Sequence, residues 1–217
     1  MPRSDLRRLV APAVGAGLSM ALYLGLRPYG DQSDDPVQVA EAFASVAWVG
    51  SHLGGMAALA SVGRLALRTA DLLPGALARA GRWSGLAGAV LVMPYYGAET
   101  FSLHVIGRQA AAGALSPEEV VVLAEQIRSE PVAMSLFGAG LVLLAVAGVL
   151  VGAAWHRSLA GPRRWAAWPL AVMVALVLPQ YYLPGPLRVV FGVVFALAAL
   201  GLAATALGAG RRAHPLR

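Results

Sequence analysis

Residues 132–155 read VAMSLFGAGLVLLAVAGVLVGAAW, a run of consecutive positions without one charged side chain. Rising about 1.5 Å per residue as a helix, that run is long enough to cross a hydrocarbon layer about 30 Å thick. Working outward from it, five further apolar stretches have the same character, so that the six lie at about 8–27, 41–63, 83–105, 132–155, 165–184 and 187–209. Inside a bilayer the backbone must satisfy its own hydrogen bonds, which leaves helices as the spanning form for stretches this apolar. The expected fold class is therefore all-α: a polytopic membrane helix bundle with six transmembrane helices, a single integral membrane domain over residues 1–217. Composition points the same way. With 58% hydrophobic and 13% charged residues and a mean hydropathy of +0.66, the chain is too apolar for a water-soluble domain of its size. The first stretch follows Arg7 and Arg8 and ends at Arg27-Pro28-Tyr29 without a small-x-small cleavage site, so it reads as a retained span.

Charge predicts orientation. All 17 basic residues are arginines, and the formal net charge is +6. With a cytoplasmic N-terminus, 13 arginines fall inside (Arg3, Arg7, Arg8, Arg64, Arg68, Arg79, Arg82, Arg157, Arg163, Arg164, Arg211, Arg212, Arg217) and four outside (Arg27, Arg108, Arg128, Arg188). The positive-inside rule then places both termini in the cytoplasm, in the inner (plasma) membrane of the cell. Acidic residues are distributed the other way, with Asp5 and Asp71 inside and Asp31, Asp34, Asp35, Glu41, Glu118, Glu119, Glu125 and Glu130 outside. Trp83, Trp155, Trp165 and Trp168 fall at the predicted inner ends, where indoles favour the headgroup layer. The arginine excess needs no nucleic-acid partner to explain it. Cysteine is absent, which excludes disulfides, thiolate chemistry and cysteine-ligated metals.

Two outer segments carry helix-start signals. Asp35-Pro36-Val37-Gln38 and Ser116-Pro117-Glu118-Glu119 each set a capping side chain before a proline at the first helical position, with Gln or Glu in the capping-box place. The second predicts a short external helix at about 117–129. Glu41, Ser51, Gly54 and Leu59 also align with Glu125, Ser135, Gly138 and Leu143, and Pro94-Tyr95-Tyr96 is echoed by Pro179-Gln180-Tyr181-Tyr182. That pattern suggests a parallel repeat of helices 2–3 and 4–5, against which stands the general similarity of apolar helices.

Ionisable groups at membrane depth are costly and ask for a partner or a purpose. Glu99 is the clearest, in the outer half of span 3. Gln180 of span 5 is expected at nearly the same depth, with Tyr181 above it, and Trp48, Tyr95 and Tyr96 fill the adjoining layer. These residues suggest an outward-facing polar pocket between spans 2, 3 and 5. His52 lies on a helical stripe with Glu41, Ser45, Trp48 and Gly55, as a buried hydrogen-bonded histidine or a deeper proton relay. His104 is expected at the outer interface near Arg108, whereas His156 and His214 read as solvated. For each of these side chains a plain packing role is the competing explanation. Pro94 and Pro179 should bend their spans.

No phosphate-binding glycine loop, His-Glu-x-x-His or Gly-x-Ser-x-Gly motif is present, and no catalytic residue, metal ligand or cofactor is assigned. The stretch Trp48-Val49-Gly50-Ser51-His52, with Glu99 to His104 in the next span, resembles a loose group of uncharacterised multi-span membrane proteins from high-GC bacteria. The resemblance covers spans 2 and 3, supports the membrane reading and implies no activity. The expected function is a small carrier or binding protein for a small molecule or lipid, more a binder than an enzyme. A scaffold for a membrane protein partner and a membrane enzyme or haem protein are the alternatives. Membrane lipid is the expected surroundings.

Overall fold

The structure, a computed structural model, describes residues 3–211; Arg212, His214 and Arg217 lie outside the described residues. Among these the chain is helical and without strands. A 3-10 turn at Arg3–Leu9 leads into α1 (Val10–Leu26), and a second at Tyr29–Gln32 precedes α2 (Pro36–Ala44), α3 (Val46–Leu72) and α4 (Ala76–Gly97). A π-helical turn at Ala98–Ser102 joins α4 to α5 (Leu103–Ala111). Then come α6 (Pro117–Arg128), α7 (Pro131–Ser158), α8 (Trp168–Ala175), α9 (Val177–Gln180) and α10 (Gly185–Arg211). Four helical segments are long and apolar enough to cross a membrane: Leu6–Leu26, Val46–Leu72, Pro131–Ser158 and Gly185–Gly208.

The expected helix starts are present. Asp35 accepts from the Val37 N–H at 3.0 Å, and Ser116 and Glu119 form a reciprocal capping box at the start of α6. Three expectations need correction. The stretch 41–63 is not one helix, because Ser45 leaves helical geometry and uses its hydroxyl to cap the Trp48 N–H at 3.1 Å. A serine cap can outcompete helix continuation wherever a turn fits. Glu41 consequently sits exposed on α2, off the stripe of Trp48, His52 and Gly55, and α3 runs on past Arg64 and Arg68 to Leu72. The stretch 83–105 is longer than expected and interrupted by the π turn. The stretch 165–184 holds only α8 and α9, broken at Leu176. Pro179 accounts for that break, since its ring crowds the carbonyl four residues back, at Ala175, and it has no N–H to give it.

α1 packs between α3 and α10, α4 between α3 and α7, and α7 against α8. Close approach rests on small residues, as usual where apolar packing alone draws helices together. A Cβ on Gly88 of α4 would stand 2.7 Å from the Gly140 carbonyl oxygen of α7. Gly148 and Gly152 likewise face α8. His156, expected to be solvated, instead packs beside Trp165 and Trp168 and accepts the Trp168 indole N–H at 3.3 Å. Trp155 is buried, with its indole donating to the Arg163 carbonyl at 2.8 Å.

Candidate functional site

The ends of α1, α4 and α9 and the starts of α7 and α10 meet around a cavity of about 320 Å³. Glu99 stands in its wall, 8% exposed, at the π turn that follows Pro94. Such single π turns occur frequently at functional sites, because the inserted residue re-aims the side chains beside it. Here the turn directs Glu99 and Thr100 inward, both buried.

The partner of Glu99 is neither tyrosine, amide nor imidazole. Arg128, the last residue of α6, donates from Nε to Glu99 Oε1 at 3.2 Å, and its Nη2 stands 3.2 Å from the same oxygen as an ion pair. The same guanidinium donates to Asp31 Oδ2 at 3.1 Å. Asp31 also accepts from Arg27 Nη2 at 2.6 Å, and Arg27 Nη1 donates to the Tyr23 hydroxyl at 2.8 Å. A continuous chain of hydrogen bonds thus runs Tyr23–Arg27–Asp31–Arg128–Glu99, tying the end of α1 to the π turn through the end of α6. Arg188 of α10 lines the same cavity but makes no ion pair with a described carboxylate. Its donors go to the carbonyls of Leu183, at 2.7 Å, and Tyr181. With the Gln32 amide turned so that its oxygen faces the guanidinium, Gln32 accepts from both terminal nitrogens at 2.8 Å. Opposite this polar side stand Tyr95 stacked on Phe137, ring centres 4.5 Å apart, with Met134 and Leu178.

The residues singled out from sequence divide into three groups. Glu99, Tyr95 and Tyr181 line the cavity. Trp48, His52, Tyr96 and Gln180 are buried behind its wall. The Trp48 indole donates to the Glu99 carbonyl at 3.3 Å and stacks on His52 at 3.9 Å. His52 Nδ1 donates to the Trp48 carbonyl at 2.8 Å, which leaves Nε2 as an acceptor with no hydrogen-bond partner among the described residues. The Tyr96 and Tyr181 hydroxyls share a hydrogen bond of 2.6 Å. Gln180 is buried with its amide unpartnered among the described residues, and does not reach the cavity. His104 stands apart, half-buried, its Nδ1 donating to the Phe43 carbonyl at 2.8 Å. α3 contributes nothing to the lining, which corrects the expected location between spans 2, 3 and 5.

The sequence places Arg27, Asp31, Arg128 and Arg188 on the outer side, with Arg27 and Arg188 at the outer ends of their spans. The available signal was that they stand beside the apolar stretches, within a turn or so of a helix end. Burial by itself would raise the Asp31 carboxyl pKa, but Arg27 and then Arg128 more than offset it and hold it below its ordinary value. A carboxylate with a depressed folded pKa stabilises the fold above its unfolded value and loses that contribution as pH falls through the folded one. The advantage of wild type over Asp31→Asn in melting temperature, measured in maltoside micelles, should therefore hold from neutral pH to about pH 4 and shrink below it. An advantage that already shrinks between neutral pH and pH 5 would contradict this assignment.

Comparison of the chain with protein-family models, curated proteins and solved structures gave no match.

Proposed function

We propose that this chain is a multi-pass binding or carrier protein whose outward-facing cavity around Glu99 takes one small molecule or lipid. The carrying observation is the pairing, in one space of about 320 Å³, of a charged side with an apolar one. Few, convergent polar groups against an aromatic and aliphatic wall are the usual make-up of a ligand pocket. Met134 and Leu178, both exposed, stand where the cavity meets the surroundings, a position that suits entry from the bilayer.

The same reading keeps six crossings, with both termini in the cytoplasm. α4 and its π turn make the third. α8 and α9 together run from Trp168 to Gln180, roughly 20 Å at about 1.5 Å per residue, so the fifth is short and turns at Tyr181 before the outer surface. That shortfall leaves the room the cavity occupies. In the parallel repeat, Tyr96 and Tyr181 hold corresponding places and hydrogen-bond to one another. Gly54, packed closely on α1, corresponds to Gly138, against which no helix lies.

Gly138 supplies the test. It lines the cavity, and a Cβ there would meet nothing within 4 Å. Gly138→Leu should fill the space without a backbone clash and improve local helix propensity. Native mass spectrometry of the chain released from maltoside micelles, with decyl phosphate, decyltrimethylammonium or decylphosphocholine added, should show saturable binding of one amphiphile molecule. Gly138→Leu should abolish it, while Gly201→Leu, at another unobstructed glycine outside the cavity, should not. A wild-type chain that retains none of the three would remove the reading.

A further inference from the structure

The charges lining the cavity do not balance. Three guanidinium groups, Arg27, Arg128 and Arg188, face two carboxylates, Asp31 and Glu99. Both carboxylates are already engaged by Arg27 and Arg128, and Asp31 bridges the two. The unmatched cation is Arg188, 8% exposed and satisfied only by neutral acceptors. A charge so nearly buried without a counter-ion is costly, unlike the solvated arginines at the opposite end of the bundle. Its guanidinium is held rigidly by the carbonyls of the Tyr181–Leu183 turn, while the one removable acceptor is the amide of Gln32, an exposed side chain. That amide oxygen takes both terminal nitrogens at once, as one oxygen of a phosphate or carboxylate would.

From this geometry we infer that the ligand is an oxyanion carried on an apolar body. Its charged group displaces the Gln32 amide and pairs with Arg188, with Arg128 across the cavity adding attraction, and its apolar part lies along Phe137, Met134 and Leu178. The chemical class is a singly or doubly charged amphiphile, such as an alkyl phosphate or a fatty carboxylate. The inference rests on the binding role proposed above and adds the sign of the charge and the residue that reads it.

The experiment uses the full chain in maltoside micelles and the same mass-spectrometric titration. Wild type should bind decyl phosphate at least about tenfold more tightly than decyltrimethylammonium, the scale of one well-placed charge pair. Gln32→Glu sets a competing carboxylate on Arg188 from an exposed position that does not endanger folding, and should weaken decyl phosphate by about tenfold. Arg188→Gln should weaken it at least as much, and if that variant fails to fold, Gln32→Glu alone decides. Glu99→Gln, which releases Arg128, should tighten it. Equal binding of the cationic and anionic amphiphiles, or indifference to Gln32→Glu, would overturn the inference while leaving a pocket that binds amphiphiles. Retention of none of the amphiphiles would instead remove the binding role itself. Inorganic phosphate is the remaining probe: failure to compete supports the amphiphile, and competition at the same concentration as decyl phosphate would overturn the apolar half of the inference.

Discussion

Arg27→Met should destabilise the chain by about 3 kcal/mol, toward the lower end of the range for removing one member of a buried ion pair. The Arg27 and Asp31 side chains are 5% and 2% exposed, with 2.6 Å between their charged atoms. Methionine replaces much of the arginine stem's volume but leaves Asp31 with one guanidinium in place of two. Arg128, at 3.1 Å, remains and keeps the cost from being larger. Tyr23 loses its donor as well, and the turn after α1 loses its tie to Arg27 while keeping the Tyr29 hydroxyl on the Leu24 carbonyl at 2.8 Å. The melting temperature of the variant in micelles measures this, and Arg27→Met combined with Asp31→Asn should recover part of the loss. A single variant that melts with wild type would mean that the pair is solvated and the chain of hydrogen bonds dispensable.

Arg128→Gln is expected to have the second large effect, about 1–3 kcal/mol after allowance for the partial exposure of this arginine. Its side chain is 26% exposed, whereas that of Glu99 is 10% exposed and has no other ion pair among the described residues. Without Arg128 the nearly buried Glu99 carboxylate is left with no ion-pair partner among the described residues. Glu99→Gln made alone removes the demand, so the double variant Arg128→Gln/Glu99→Gln should be more stable than Arg128→Gln. The two substitutions therefore couple rather than add, and a double-mutant cycle reads that coupling. Additive losses would show that the contact at 3.2 Å carries no energy.

How far the sequence could be read depends on the range of each interaction. The stretches 8–27, 132–155 and 187–209 correspond to helices within a few residues, because uninterrupted apolar runs of this length have one means of satisfying their backbone. The caps at Asp35 and Ser116 were legible because they are built within four residues. Ser45 was misread for the opposite reason: a serine in an apolar run looks like a tolerated helical residue unless the turn it caps is known. Glu99 stood out as a carboxylate inside an apolar stretch, and its side chain is nearly buried in the structure. Its partner was invisible, since Arg128 lies beyond the π turn and α5, at the far end of α6. Arg27 caps α1 and Arg188 lies in the first turn of α10; arginines at helix ends are ordinarily solvated, so that position alone did not mark them as buried. His52 stood out by its helical stripe and Gln180 by its depth, yet neither says which side of a wall a side chain occupies.

The chain's lack of cysteine offers a simple way to probe the cavity. In sealed proteoliposomes, Gly138→Cys should react with a membrane-impermeant, anionic methanethiosulfonate added at the face carrying Glu99, and decyl phosphate should slow that reaction. Leu197→Cys, on α10 where the native side chain is 64% exposed outside the cavity, should stay unlabelled among acyl chains. If the thiol at the glycine site is as inert as the one on α10, the cavity does not open to water, and Glu99 belongs to packing alone.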